Sequence, residues 1–218
     1  TQLIARRVRE LNVYSIILPH DFKESYVDFS NINGIILSGG PSSVYDKSSP
    51  KLNQNIFSYN LPILGVCYGL QLLIENFNGT VKNGNIGEYG PSEITKEKSS
   101  KLFNDVSSRT SVWMSHGDRI EDMPEDWMVT SKSENDVISS VENQNGSIYG
   151  VQFHPEVVHT KEGKKIIKNF VLDICKTAPN WNSENFIKST ISHIRDTVKD
   201  SKVLCALSGG VDSTVVST

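Results

Sequence analysis

Two short, fully apolar runs constrain the fold of this 218-residue chain more than any other feature. They are GIIL at residues 34–37 and ILGV at residues 63–66, and each ends abruptly in a loop that contains glycine. A strand that is apolar at every position is buried on both faces, as in a parallel sheet covered by helices. The runs therefore predict an α/β fold with a mostly parallel central sheet.

The rest of the pattern divides into an α/β part and a β-rich part. Apolar residues at helical spacing predict helices over residues 1–11 and 51–59 and directly after residue 67, and residues 14–18 predict a strand. Residues 80–153 instead carry β-prone runs separated by polar turns, at residues 111–114, 128–131, 137–142 and 147–153. The last two runs flank Asn145-Gly146, which is typical of a hairpin turn.

The C-terminal third predicts a domain boundary. A helix through Ile167 and Ile174 closes a first domain over residues 1–176, and Pro179 lies in a linker over residues 177–183. A further helix, an apolar run at residues 202–207 and the loop SGGVDST follow. Because a helix, a strand and a loop cannot bury a core alone, we expect residues 184–218 to begin a second, truncated domain.

Composition excludes several classes of function. The 22 basic and 25 acidic side chains give a net charge of −3, whereas nucleic-acid-binding domains usually carry a basic excess. No apolar run approaches the roughly 20 residues of a membrane span. The three scattered cysteines, Cys67, Cys175 and Cys205, disfavour a disulfide scaffold. We expect a cytoplasmic protein that binds neither nucleic acid nor membrane.

The second apolar run leads into GVCYG at residues 65–69, which places Cys67 between a strand and a helix. In a nucleophile elbow, the central residue holds a strained backbone and the flanking glycines leave room for the tight turn. A helix N-terminus also favours a thiolate. The alternative is a small buried core cysteine, and the spacing alone favours the nucleophile only slightly.

A cysteine nucleophile needs a base, and the strand-like run IYGVQF ends at one. His154 begins HPE there, and Glu156 is placed to orient its imidazole. The SGGP loop after the first apolar run offers the backbone N–H of Gly40 to an oxyanion, together with that of Tyr68. Taken singly, these are a solvated loop and a plain turn; together with the elbow they indicate a catalytic site.

At this point four segments occur in an order that resembles one family. LSGGP, GVCYGLQ, WMSHGD and YGVQFHPE are similar to the motifs of class I, triad-type glutamine amidotransferases, over about residues 1–176. The resemblance implies a glutaminase in which Cys67 is the nucleophile, His154 the base and acid, and Glu156 the third member of the triad. It also implies an oxyanion hole at Gly40 and Tyr68, and glutamine contacts from the following residues: Gln71, Ser115, His116, Gly117 and Asp118.

The C-terminal loop resembles a second family. SGGVDS lacks the lysine of a Walker A loop and is similar to the PP-loop of ATP pyrophosphatases. The resemblance implies ATP contacts from Ser208, Gly209, Gly210, Val211, Asp212 and Ser213. Asp212 is the candidate ligand for Mg²⁺, and no metal or cofactor is expected in the glutaminase domain. The alternative is a generic glycine-rich turn.

The pairing of the two motifs, with EYG at residues 88–90, resembles the GMP synthetase family. It implies Mg-ATP-dependent amination of XMP by ammonia from glutamine, a C-terminal ATP pyrophosphatase domain, and a homodimer in the complete protein. It also implies that the family's first strand precedes Thr1. The alternatives are the glutaminase of another class I amidotransferase, an inactive regulatory domain, and a plain α/β binding module.

Overall fold

The computed structural model describes residues 1–205, 208–211 and 214–215. The chain forms two compact units, Thr1–Asn180 and Trp181–Thr218. The predicted boundaries at residues 176 and 184 stay a prediction.

One mixed sheet organises the first unit, with strand order β1-β2-β7-β6-β5-β3-β4. Its strands are β1 Ile35–Leu37, β2 Ile63–Val66, β3 Thr80–Lys96, β4 Arg109–Asp122, β5 Trp127–Ser133, β6 Ile138–Asn143 and β7 Ile148–Val151. β2 pairs in parallel with β1 and with β7, and the pairings among β3, β4, β5, β6 and β7 are antiparallel. The α/β class is therefore confirmed, but in the described residues the sheet is mixed and not mostly parallel.

Helices cover both faces of the sheet. They are α1 Gln2–Arg9, α2 Tyr68–Asn76 and α3 Gly163–Lys168, which continues into a π-helical turn at Asn169–Ile174. Short 3₁₀ helices lie at Glu24–Tyr26, Phe29–Asn31, Gln54–Tyr59 and Lys101–Phe103, and the second unit contains α4 Ser183–Val198.

The strand alternation sends neighbouring side chains of β2 into different core clusters. Leu64 packs with residues of α1 and α3, whereas Ile63 packs with Leu73 of α2. Since successive side chains of a strand point to opposite faces, α1 and α3 lie on one face of the sheet and α2 lies on the other. Both faces of β2 are buried, as its continuous apolar sequence predicts.

Four local predictions differ from the structure. Residues 14–18, all of them described, form no strand, and Tyr14 and Ile17 are exposed. Strand β1 stands at the end of the strand order and pairs only with β2, so these residues add no strand to its outer edge. The helix over residues 51–59 is the shorter 3₁₀ helix, and residues 202–205 of the second unit are not in a strand. The 17-residue β3 was missed, because its polar residues and glycines hide the strand period.

Candidate active site

The carboxyl ends of three neighbouring parallel strands meet at one edge of the sheet. Gly39 follows β1, Cys67 follows β2 and His154 follows β7 by a few residues. Because ligand and catalytic groups of open α/β sheets gather at this edge, the strand order itself brings these segments together. The elbow, the HPE motif and the SGGP loop thus converge as the sequence predicts.

Cys67 has the strained backbone expected of an elbow. Its φ of 52° and ψ of −108° lie outside the regions that a side chain normally prefers. The Cys67 N–H still donates to Val151 O at 2.8 Å, and Cys67 O accepts from Gln71 N at 3.1 Å. Strand β7 and helix α2 therefore hold the strained residue from both sides.

The two glycines of the elbow are required by close backbone approaches. A Cβ on Gly65 would lie 2.7 Å from the backbone of Leu70, in the first turns of α2. One on Gly69 would lie 2.3 Å from the carbonyl oxygen of Leu37, at the end of β1. Glycine at both positions lets the helix start directly above the strand ends, which confirms the steric reason for the G-x-C-x-G spacing.

His154 is held between Cys67 and Glu156. Its Nδ1 lies 2.9 Å from Glu156 Oε1, and the Glu156 side chain is buried. Hydrogen bonding with Cys67 and then with Glu156 raises the pKa of His154 to about 10, against the opposing effect of burial. The site therefore favours a protonated imidazole beside the sulfur.

The backbone of His154 is fixed as firmly as its ring. His154 N donates to Trp113 O at 3.0 Å, and Thr160 Oγ1 donates to His154 O at 2.6 Å. The Thr160 hydroxyl in turn accepts from Trp113 N at 3.0 Å, and Arg7 Nε donates to Glu156 O at 2.9 Å. One threonine hydroxyl thus ties the HPE segment to β4.

These contacts show that the sheet curls. Strand β4 is the last strand in the order, at the opposite end from β1. Nevertheless its Trp113 bonds to His154, and the carbonyl oxygen of Ser115 lies 3.7 Å from Cys67 Sγ. The curl brings the segment at residues 115–118 to the sulfur of Cys67.

A bulge shapes that segment. Glu88 of β3 pairs with His116 of β4 and Asn83 pairs with Asp118, so residues 84–87 face Gly117 alone. His116 is buried, with Nδ1 2.8 Å from Asp118 O and Nε2 3.2 Å from Glu88 Oε2. Both ring nitrogens of His116 therefore contact protein oxygens and brace the segment from below.

Gln71 and Gln152 continue this buried network to the sulfur. Gln71 Nε2 lies 3.4 Å from Asp118 O and 3.4 Å from Gln152 Oε1, and Gln152 Nε2 lies 3.6 Å from Cys67 Sγ. The carboxylate of Asp118 accepts from Ser43 Oγ at 2.6 Å, which links the segment to the loop after β1.

A comparison with protein families shows the family of the chain. The family described as Glutamine amidotransferase class-I matches residues 1–174.

The chain belongs to the class I glutamine amidotransferases.

Two relatives of the chain carry a more specific description than the family does. The chain is 48% identical over 216 residues to proteins called GMP synthase [glutamine-hydrolyzing] from Bacillus cereus (strain AH820) and Bacillus anthracis. The match covers 99% of this chain but 42% of each relative, so the chain spans less than half of the length of the relatives that it matches.

Solved structures agree with the amidotransferase fold. A protein from Thermoplasma acidophilum, described as a putative GMP synthase subunit, has a TM-score of 0.69 and 29% identity, over 86% of this chain and 90% of that one. A glutamine amidotransferase from Thermotoga maritima has a TM-score of 0.62 over 89% and 86% of the two chains; at 23% identity it supports the fold alone.

Three residues of the amidotransferase site were missed by the sequence reasoning. Gln152 is fully buried against the sulfur, and Thr160 is buried against His154. A Cβ on Gly39 would lie 3.0 Å from His154 Cε1 and 3.4 Å from Cys67 Cβ, so this glycine borders the site more closely than Gly40. Only Gln152 carries a sequence signal, as a polar residue two positions before His154 at the end of an apolar strand.

The C-terminal loop is described in part. Gly209 has a φ of 80°, no atom of the described residues lies within 4 Å of the position that its Cβ would take, and Gly210 N donates to Ser208 Oγ at 3.4 Å. Asp212 and Ser213, two of the predicted ATP contacts, lie outside the described residues.

The described part of the chain offers neither a metal site nor a membrane-spanning helix. It contains no group of three or more His, Cys, Asp or Glu side chains arranged to hold a metal ion. Within that same part, no helix is long and apolar enough to cross a membrane.

Proposed function

We propose that this chain is the glutaminase part of a glutamine-dependent synthetase, with Cys67, His154 and Glu156 as its catalytic triad. The observation that carries the proposal is the continuous arrangement of these three residues at the ends of β2 and β7. The strained backbone of Cys67 and the membership of the family support it further.

The first half of the reaction forms a thioester. The Cys67 thiolate attacks the carboxamide carbon of glutamine, a C–S bond forms, and the carbonyl π electrons move to the oxygen. The N–H groups of Gly40 and Tyr68 stabilise this oxyanion; Tyr68 begins α2, where the N–H has no partner within the helix. The His154 imidazolium protonates the nitrogen, the C–N bond breaks and ammonia leaves.

The second half regenerates the enzyme. His154, now neutral, takes a proton from a water molecule that attacks the thioester carbon. The C–S bond breaks, glutamate leaves and the thiolate is restored beside the imidazolium. Glu156 keeps the ring oriented throughout, because its carboxylate holds Nδ1 and leaves Nε2 for the reacting groups.

The ammonia is proposed to serve GMP synthesis. The relatives called GMP synthase support this, since the match extends beyond the amidotransferase region into the second unit. In the complete protein, XMP is adenylated with Mg-ATP and ammonia then displaces AMP, so that ATP is cleaved to AMP and pyrophosphate. Ser208, Gly209, Gly210, Val211, Asp212 and Ser213 are the proposed ATP contacts.

The glutamine contacts divide into two proposed roles. The Ser115 carbonyl oxygen borders the sulfur, and Gln71 Nε2 faces Asp118 O. Gln71 and the backbone of Ser115, Gly117 and Asp118 are proposed to bind glutamine. His116 is proposed to hold this segment in place, because both of its ring nitrogens are already bonded within the protein.

The test is modification by a diazoketone analogue of glutamine, located by mass spectrometry. We expect labelling of Cys67 that glutamine protects against. Cys175 should be spared, because burial raises the pKa of its thiol to about 12. Cys205 is exposed but belongs to the second unit and has no triad, so it serves as the reference for non-specific labelling.

Two outcomes would contradict the proposal. Equal labelling of Cys67 and Cys205 would show that no glutamine site surrounds the elbow. If the analogue does not label Cys67 in a folded chain, the result would favour the inactive regulatory domain.

A further inference from the structure

We propose that Gln152 is a further catalytic residue, whose side-chain N–H bonds to the Cys67 sulfur and stabilises it as the thiolate. The inference deepens the proposed function and rests on Cys67 being the nucleophile. Gln152 is fully buried, and its Nε2 lies 3.6 Å from Cys67 Sγ, within the range of a hydrogen bond to sulfur. The sulfur therefore meets donors from two residues, His154 and Gln152.

The orientation of the Gln152 amide follows from a backbone carbonyl. Asp118 O can only accept, so the atom of the Gln71 amide that faces it must be the nitrogen. That same nitrogen faces Gln152 at 3.4 Å and requires the oxygen of the Gln152 amide there. The nitrogen of Gln152 is then the atom that faces the sulfur, and turning either amide would oppose two donors or two acceptors.

The contacts of the sulfur distinguish its two ionisation states. A thiol both donates and accepts, and the Ser115 carbonyl oxygen at 3.7 Å is positioned to accept its proton. A thiolate only accepts, so it loses that contact and strengthens the one from Gln152. The Gln152 amide therefore favours the anion, which is the nucleophilic form.

The network also connects the sulfur with the glutamine pocket. His116 and Gln71 both donate to Asp118 O, and Gln71 holds the oxygen of Gln152. A substrate that binds against Gln71 therefore acts on the group that orients the donor to Cys67. Substrate binding and activation of the nucleophile share one chain of buried hydrogen bonds.

The experiment measures alkylation of Cys67 by iodoacetamide across pH in the 218-residue chain. Gln152→Met keeps the length of the side chain but removes its donor. We expect Cys67 alkylation at pH 7 to slow by about tenfold, with the half-maximal rate at a correspondingly higher pH. Gln152→Glu places an acceptor against the sulfur and should slow alkylation at least as much.

Gln144→Met is the matched control, because Gln144 is an exposed glutamine in the turn before β7, whereas Gln152 follows the opposite end of that strand. It should alkylate like the wild type. A folded Gln152→Met that alkylates Cys67 at the wild-type rate over the whole pH range overturns the inference.

A measurement on the unaltered side chain covers the case in which the variants do not fold. The ¹⁵N–¹H signals of the Gln152 amide should shift over the pH range in which alkylation of Cys67 accelerates, and should shift again once the sulfur is alkylated. Signals that respond to neither event overturn the inference.

These results separate the two proposals. The iodoacetamide and amide measurements require no glutamine turnover. If the diazoketone fails to label wild-type Cys67, the proposed function fails whatever Gln152 does. If it labels Cys67 normally and Gln152→Met changes nothing, only the role of Gln152 is wrong.

Discussion

The parallel and antiparallel parts of the sheet contribute different things to the site. Strands β1, β2 and β7 lead into the residues of the proposed catalytic site, with Cys67 and His154 among them. Strands β3 and β4 contribute a buried support in which Glu88 and His116 hold the segment at residues 115–118. The chemistry is therefore concentrated at three strand ends, whereas the support extends along a long, bulged ribbon.

The difference suggests that the two parts control different kinetic constants. In the proposed mechanism, residues of the parallel part act on bonds that change in the transition state, so their loss should lower kcat. Residues of the antiparallel part hold the segment at residues 115–118, which is proposed to bind glutamine, so their loss should chiefly raise KM. Four substitutions, from the largest expected effect to the smallest, test this division.

Cys67→Ala should cause the largest loss, because removing the nucleophile of a catalytic triad costs on the order of 10⁶ in kcat. Glutaminase activity should vanish in this chain. In the complete protein, synthesis driven by added ammonia should survive. Cys205→Ala is the control at an exposed cysteine. If Cys67→Ala abolishes the ammonia-driven reaction as well, the glutaminase and synthetase activities are not separable.

Glu156→Gln should lower kcat by about 10², in the range of a general acid–base contribution. The pKa of His154, raised to about 10, keeps the imidazolium able to protonate the leaving amide nitrogen up to that pH. Glu156 is the second cause of the raised pKa, so the alkaline limit of activity should move to lower pH. An unchanged pH profile in the folded variant would remove Glu156 from the triad.

The same raised pKa predicts a dependence of stability on pH. A proton bound more tightly in the folded than in the unfolded state stabilises fully below about pH 6.5, and this stabilisation is lost as the pH rises through about 10. The free energy of unfolding of the wild type should therefore approach that of His154→Asn across this window. Denaturant titrations from pH 6 to pH 10.5 measure the difference.

Glu88→Gln tests the antiparallel part and should raise KM for glutamine by about tenfold with little change in kcat, as expected for one buried charged hydrogen bond. Its carboxylate accepts from Ser133 Oγ and Asn135 Nδ2, each at 2.8 Å, besides facing His116. Glu93→Gln on the same strand is the control, since Glu93 pairs with Arg109 at the surface. A drop in kcat alone would contradict the division.

Thr160→Val should have the smallest effect, a reduction of kcat by a few-fold, because it removes one hydroxyl that joins the two parts. Thr160→Ser keeps the hydroxyl and should behave like the wild type. A folded Thr160→Val variant with the kcat of the wild type would show that these hydrogen bonds do not contribute to the reaction.

The sequence predicts the parallel part of the sheet well, because each of its strands has a recognisable sequence pattern. Apolar runs end in glycine or in HPE, and strand ends in a parallel sheet must meet. The curl of the sheet is not predictable in this way. It depends on a bulge at residues 84–87 and on contacts such as that of Trp113 with His154, which join residues far apart in sequence.

The same reason explains which site residues were missed. Thr160 acts through one hydroxyl, and nothing in its immediate neighbours marks that hydroxyl as a buried partner of the site. Gln152 is visible only as a polar residue at the end of an apolar strand, which does not reveal its contact with the sulfur. The strand predicted at residues 14–18 was wrong for the converse reason. Its apolar composition fits a strand, but pairing depends on the rest of the fold, and these residues do not pair with the outer edge of β1.

The backbone of Cys67 also has an evolutionary consequence. Its φ of 52° suits glycine, and holding another residue in such a conformation costs about 1–3 kcal/mol. Cys67→Gly should therefore unfold at a higher temperature than Cys67→Ala, although both lack the sulfur. In a lineage that no longer needs glutamine hydrolysis, replacing this cysteine by glycine would increase the stability of the fold. Continued use of the thiol is therefore what keeps a cysteine at this position despite its cost in stability.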